Sequence, residues 1–198
     1  MIFFYLFISY AVLKYPAQDL NGAGIPLIIS SGNRIDWWFS KCLWTALSVE
    51  GFFLVGLMAA TIWVVATHGA MCGISSDQVL YALGFDMSNL APEPWSIVAV
   101  LGASVFAAVS VAIVQTVVSL LSKPIWGFVC TSSLLFLSAF VGGPFLVGSY
   151  LMAARSEIFV AGGNSIASGI ALSAMIIVLS VLVGATRFQN MDLLGNGD

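Results

Sequence analysis

From Cys42 to Thr67 the chain carries a single formal charge, Glu50, and the stretches Trp95 to Leu121, Trp126 to Tyr150 and Ile166 to Ala185 carry none. An α-helix needs about 20 residues to cross a hydrocarbon core of about 30 Å, and each of these four stretches is long enough. Composition points the same way. Only 8% of the residues are charged, six basic and nine acidic, where a soluble domain has about a quarter. So few charges cannot solvate the surface of a soluble core. Backbone in lipid must also satisfy its own hydrogen bonds, which favours helices. The expectation is an all-α, polytopic helical membrane protein forming one domain over residues 1–198.

A fifth apolar segment, Met1 to Leu13, would rise only about 20 Å as a helix. It lacks the basic start and the small-residue cleavage site of a removable leader. It reads either as the last two-thirds of a span or as a short helix lying partly in the interface. On the first reading the complete architecture has six spans and this sequence begins inside the second. All six tryptophans lie near the proposed span ends, where indole rings favour the membrane interface: Trp37, Trp38 and Trp44 before or at the start of the second span, Trp63 at its far end, Trp95 and Trp126 opening the next two.

Lysine and arginine in short loops resist translocation. Placing Lys14 to Lys41 inside puts Lys14, Arg34, Lys41, Lys123 and Arg187 on the cytoplasmic side and leaves only Arg155 outside. The C-terminus is then cytoplasmic. The loop 68–94 is outside and holds Asp77, Asp86 and Glu93, without the alternating oxygen ligands of a calcium loop.

Several function classes lose support. The net charge of −3 argues against nucleic acid as a partner and against a polybasic surface mode. Cys42, Cys72 and Cys130 are isolated, so no metal or redox site is expected. His68 is the lone histidine and suggests no triad. The chain has neither GxxxxGK[ST] nor GxGxxG, hence no phosphate cradle of its own.

Between the first two hydrophobic segments lies a cytoplasmic connecting element, 18–41. It opens with the turn-rich "QDLNGAGIP" and continues "LIISSGNRIDWWFSK", apolar residues interleaved with Asn33, Arg34, Asp36 and Lys41. Such a stretch suits an interfacial helix or elbow. Either its charges only fix topology while Trp37 and Trp38 anchor the next span, or its exposed face docks a cytoplasmic partner.

The pattern of an apolar "PLII" run, Ser-Gly-x-Arg, Trp and Ser-Lys leading into a long hydrophobic helix resembles the membrane subunits of bacterial ABC-2-type transporters. "PFLVGSYLMAAR" (Pro144 to Arg155) and "MDLLG" (Met191 to Gly195) are similar to that group as well. The resemblance implies a six-helix permease domain in the bacterial cell membrane, paired with a second permease subunit, like or related, and with a separate ABC ATPase subunit. ATP and Mg would then sit on the ATPase, and this chain would bind no cofactor. The implied coupling residues are Arg34, Asp36, Trp37, Trp38 and Lys41, with Lys123 in a second inner turn. Pro124 ends one helix and starts the next.

Glu50 is the one charge deep in a span, where an ionisable group turns to a partner, a cavity or a pathway. It either binds a cation or cationic substrate group, or hydrogen-bonds a neighbouring helix. Gln115 reads as interhelical glue. Gly142, Gly143 and Pro144 interrupt the fourth span, as a re-entrant segment or as a proline kink. Ala161, Ser165, Gly169 and Ser173 form a small-residue stripe for close helix approach. The function expected is transport without catalysis by this chain: an ATP-driven exporter of peptide, antibiotic or lipid-like cargo. The alternatives are a secondary carrier using Glu50 and a membrane scaffold or sensor subunit.

Overall fold

The computed structural model describes residues 2–12, 34–67, 94–141, 143–152, 155–158 and 162–190. These form α1 (Ile2–Val12), α2 (Arg34–Ala66), α3 (Pro94–Leu121), α4 (Pro124–Phe140), the one-turn α5 (Val147–Tyr150) and α6 (Ile166–Gln189). The protein is an all-α, multi-pass membrane protein. Three stretches are long and apolar enough to cross a bilayer: Arg34–Ala66, Val98–Leu121 and Ile166–Gln189. The helix α4 is a shorter apolar helix of 17 residues, and α1 has 11.

The centre is α3, which packs against α6, α4 and α2. Its inner faces are small: Ala103, Ala107, Ala108, Ser110 and Ala112 are all buried, so neighbouring backbones approach closely. By contrast α2 is peripheral, with Leu43, Leu47, Leu54, Met58 and Ile62 all exposed, as lipid-directed side chains are. The short α1 packs against α3, α4 and α2, burying Tyr5, Ile8 and Ser9. It is thus part of the bundle.

Two boundaries extend past the apolar runs. Helix α2 begins at Arg34, not at Cys42, and α6 continues past Ala185 to Gln189. The extensions hold each other: Trp37, Trp38 and Cys42 form one buried cluster with Val117 and Phe188. The segment 34–41 is therefore the opening of a long helix and not a separate elbow. Residues 18–33 of the connecting element and the outer loop 68–93 lie outside the described residues.

The stretch 126–150 is not one helix. Pro124 opens α4 with Lys123 as its N-cap residue, consistent with proline's fit to the first helical position. The helix stops at Phe140, and Val141 turns to an extended backbone (φ −102°, ψ 90°). The chain then reverses, so that Gly148 in α5 lies directly against Ser138 and Leu134. This is a helix break followed by a returning turn, and not a kink.

Candidate functional site

Three places gather the polar and aromatic residues on which function could rest. The first is the end of the bundle where α2 begins and α6 finishes. Trp38 is completely buried, and its indole Nε1 donates to the Val181 carbonyl at 3.0 Å. The ring occupies the space above Gly184, where any Cβ would overlap it. Trp37 stacks on Phe188 with ring centroids 4.8 Å apart and planes 17° apart. Lys41 Nζ lies 5.3 Å from the centroid of the Trp37 ring, a cation–π placement. Arg34 Nη1 donates to the Gln189 carbonyl at 3.2 Å, at the end of α6 where unsatisfied carbonyls and the helix dipole favour a cation.

Of the implied coupling residues, Trp37, Trp38 and Lys41 are therefore buried, and Trp37 and Trp38 join α2 to α6. Asp36 and Lys123 are exposed, and Arg34 is half-buried. Among the tryptophans, Trp44, Trp63 and Trp126 are exposed, as interface anchors require, whereas Trp37 and Trp38 are core.

The second place is a polar seam inside the bundle. Gln115 is buried on α3 and makes a reciprocal pair with Ser9 of α1: its Nε2 donates to the Ser9 carbonyl at 2.7 Å, and its Oε1 accepts from the Ser9 hydroxyl. The amide is interhelical glue. A neighbouring cavity between Tyr5, Ser9, Gln115 and Thr131 has a volume of about 20 Å³, the room of one water. Glu50 is not part of this seam. It lies on the exposed face of α2.

The third place is the returning turn. All four residues of α5 are buried, and its terminal carbonyls are met by side chains from other helices. Ser104 of α3 donates to the Tyr150 carbonyl at 3.1 Å, and Tyr5 of α1 donates to the Leu151 carbonyl, also at 3.1 Å. Non-helical backbone at membrane depth requires such partners. The Tyr150 hydroxyl donates to the Pro144 carbonyl at 2.9 Å and lies 3.0 Å from the Ser168 hydroxyl. Its ring rests on Gly169, where a methyl group would collide with it. Thus the small-residue stripe, of which Ala161 lies outside the described residues, serves contacts within this chain. Gly142 also lies outside them; Gly143 is half-buried and Pro144 exposed.

Arg155 is the residue that sequence reasoning passed over. Its Nη1 and Nη2 donate to the carbonyls of Ser138 and Ala139, each at 2.6 Å, closing the broken end of α4. Beside it, Glu157 Oε1 accepts from the Ile166 amide at 3.2 Å and caps α6, where the helix dipole favours an anion. One signal was present: Arg155 is the cation that the topology left on the outer side.

Comparison with known proteins yields no match: no family model fits the chain, and no curated protein and no solved structure matches it. The likeness to ABC-2-type permeases stands on the motifs quoted above. Among the described residues no group of His, Cys, Asp and Glu side chains is placed to hold a metal ion.

Proposed function

We propose that this chain is the membrane-spanning permease subunit of an ATP-driven ABC transporter, an exporter of peptide, antibiotic or lipid-like cargo, working with a separate ATPase and a second permease subunit. On this reading the five apolar segments belong to a six-span fold in a bacterial cell membrane. The basic end carrying Arg34, Lys41, Lys123 and Arg187 faces the cytoplasm.

The observation that carries the reading is the joint between α2 and α6. The segment before α2 is the one that resembles a coupling element, and Trp38, Trp37 and Arg34 tie the start of α2 to the last turns of α6. A push delivered to that segment by an ATPase would move two long helices together. The returning turn, tied to α1 by Tyr5, supports the same reading, since α1 leads into the other end of the coupling element. On this reading the cargo path runs between subunits, and the small cavity beside Gln115, with room for about one water, is in keeping with it.

The test is co-expression with an ABC ATPase from the same source, which the proposal requires to exist. The expected result is co-purification from detergent, with a drop of at least about tenfold in the recovered ATPase when exposed Asp36 and Lys123 are both charge-reversed. Full recovery with that variant, or no association with the wild-type chain, would sink the proposal. The carrier reading would require proton- or cation-dependent flux lost in Glu50→Gln, and Glu50 lies away from the interior polar seam.

A further inference from the structure

We infer that the lipid-directed face of α2 around Glu50 and Gly51 seats a transmembrane helix of a partner chain that presents a basic side chain at the depth of Glu50. The inference requires only that α2 crosses the membrane, and it is independent of any ATPase.

Glu50 is the midpoint of the 33-residue α2, about 24 Å from either end. Wherever a core of about 30 Å falls along that helix, the Glu50 backbone stays at least about 6 Å inside it. The side chain is exposed and makes no hydrogen bond or ion pair with the described residues. An ionisable group at such depth normally faces protein and pairs there, yet this chain offers no cation at that level among its described residues. Arg34 and Lys41 lie in the opening turns of α2, Lys123 precedes α4, Arg155 closes the far end of α4, and Arg187 is in the last turn of α6.

A second feature on the same stretch points to a helix as the occupant. On the flank of α2 beside Glu50, which does not itself line it, Gly51 opens a groove of about 460 Å³ lined by Trp44, Leu47, Ser48, Phe52 and Val55. A Cβ at Gly51 would meet nothing within 4 Å. A missing side chain flanked by large apolar ones is the form of a close helix crossing in lipid. Charge complementarity then selects the occupant. Acyl chains fill apolar grooves but bring no donor, and a second copy of this chain brings another carboxyl to Glu50, whereas a basic residue on a foreign helix pairs with it.

The experiment uses the purified chain in phosphatidylcholine vesicles and a dansyl-labelled, leucine-rich transmembrane peptide with either lysine or leucine at its centre. Energy transfer from the tryptophans of α2 reports docking. The lysine peptide should reach half-maximal transfer at a peptide-to-lipid ratio at least tenfold below that of the leucine peptide. Glu50→Gln should erase the difference, and Gly51→Leu, whose Cβ meets nothing within 4 Å and whose side chain extends into the groove, should reduce transfer from the lysine peptide. Equal behaviour of the two peptides, a preference that survives Glu50→Gln, or lysine-peptide docking unaffected by Gly51→Leu each overturns the inference. So does efficient disulfide cross-linking of two copies through Ser48→Cys in a chain otherwise free of cysteine, which would assign the face to self-association.

Discussion

Arg155 shows how one side chain can settle an awkward backbone. A helix that stops inside a membrane protein leaves carbonyls without partners, each costly in hydrocarbon, and the guanidinium meets those of Ser138 and Ala139 together. Lysine, a point charge with no fork, cannot match this geometry. Arg155→Lys is therefore expected to lower stability by about 1.5–3 kcal/mol, the worth of one hydrogen bond to a charged group, read as a fall in thermal unfolding temperature in detergent. At the other end of the bundle Gly184→Val should be worse than its exposed neighbour Val183→Ala, because the new Cβ already overlaps the Trp38 ring and carries two methyl groups besides. Overpacking of this kind costs about 1–3 kcal/mol, and tryptophan fluorescence would report the displaced indole. Neither residue announces its role in the chain order. Arg155 stood out only as an exception to the charge rule, and nothing in the run around Gly184 separates it from the other glycines. Their partners, Ser138 and Trp38, come from distant segments.

At the level of elements, hydrophobic runs located α3 within a residue and the body of α2 and α6. What they could not give was the ends. The extensions of α2 back to Arg34 and of α6 on to Gln189 are stabilised by aromatic packing between the two helices, and run length carries no information about that. Trp37 and Trp38, interleaved with Arg34, Asp36 and Lys41, suit an interface anchor by composition, and their burial reverses that role. The break at Gly143 and Pro144 was visible, whereas the choice between kink and returning turn depended on α5 finding partners on α1 and α3. Tyr5→Phe removes the donor to the Leu151 carbonyl and should cost about 1 kcal/mol. Its distinctive signature would be faster amide hydrogen exchange over 147–151 without change in α6. Gln115→Leu leaves the buried Ser9 hydroxyl without its acceptor. It should loosen α1 from α3, seen as accelerated exchange confined to residues 5–10.

For the whole molecule, the cations sort by end. The starts of α2 and α4 and the finish of α6 share one end, with Arg34, Lys41, Lys123 and Arg187, and the turn around Arg155 and Glu157 occupies the other. In a chain stripped of Cys42, Cys72 and Cys130, an impermeant maleimide applied to intact cells should label Glu157→Cys. It should leave Lys123→Cys and Thr186→Cys untouched until the cells are permeabilised, and the opposite pattern would invert the topology. The early stop of α4 has one more effect. Because that helix gives way to a stapled reversal of chain, one side of the bundle's far end is walled by bends instead of a rod. Opening that side would have to break the hydrogen bonds that Tyr5 and Ser104 make to the returning turn and those that Arg155 makes to the end of α4.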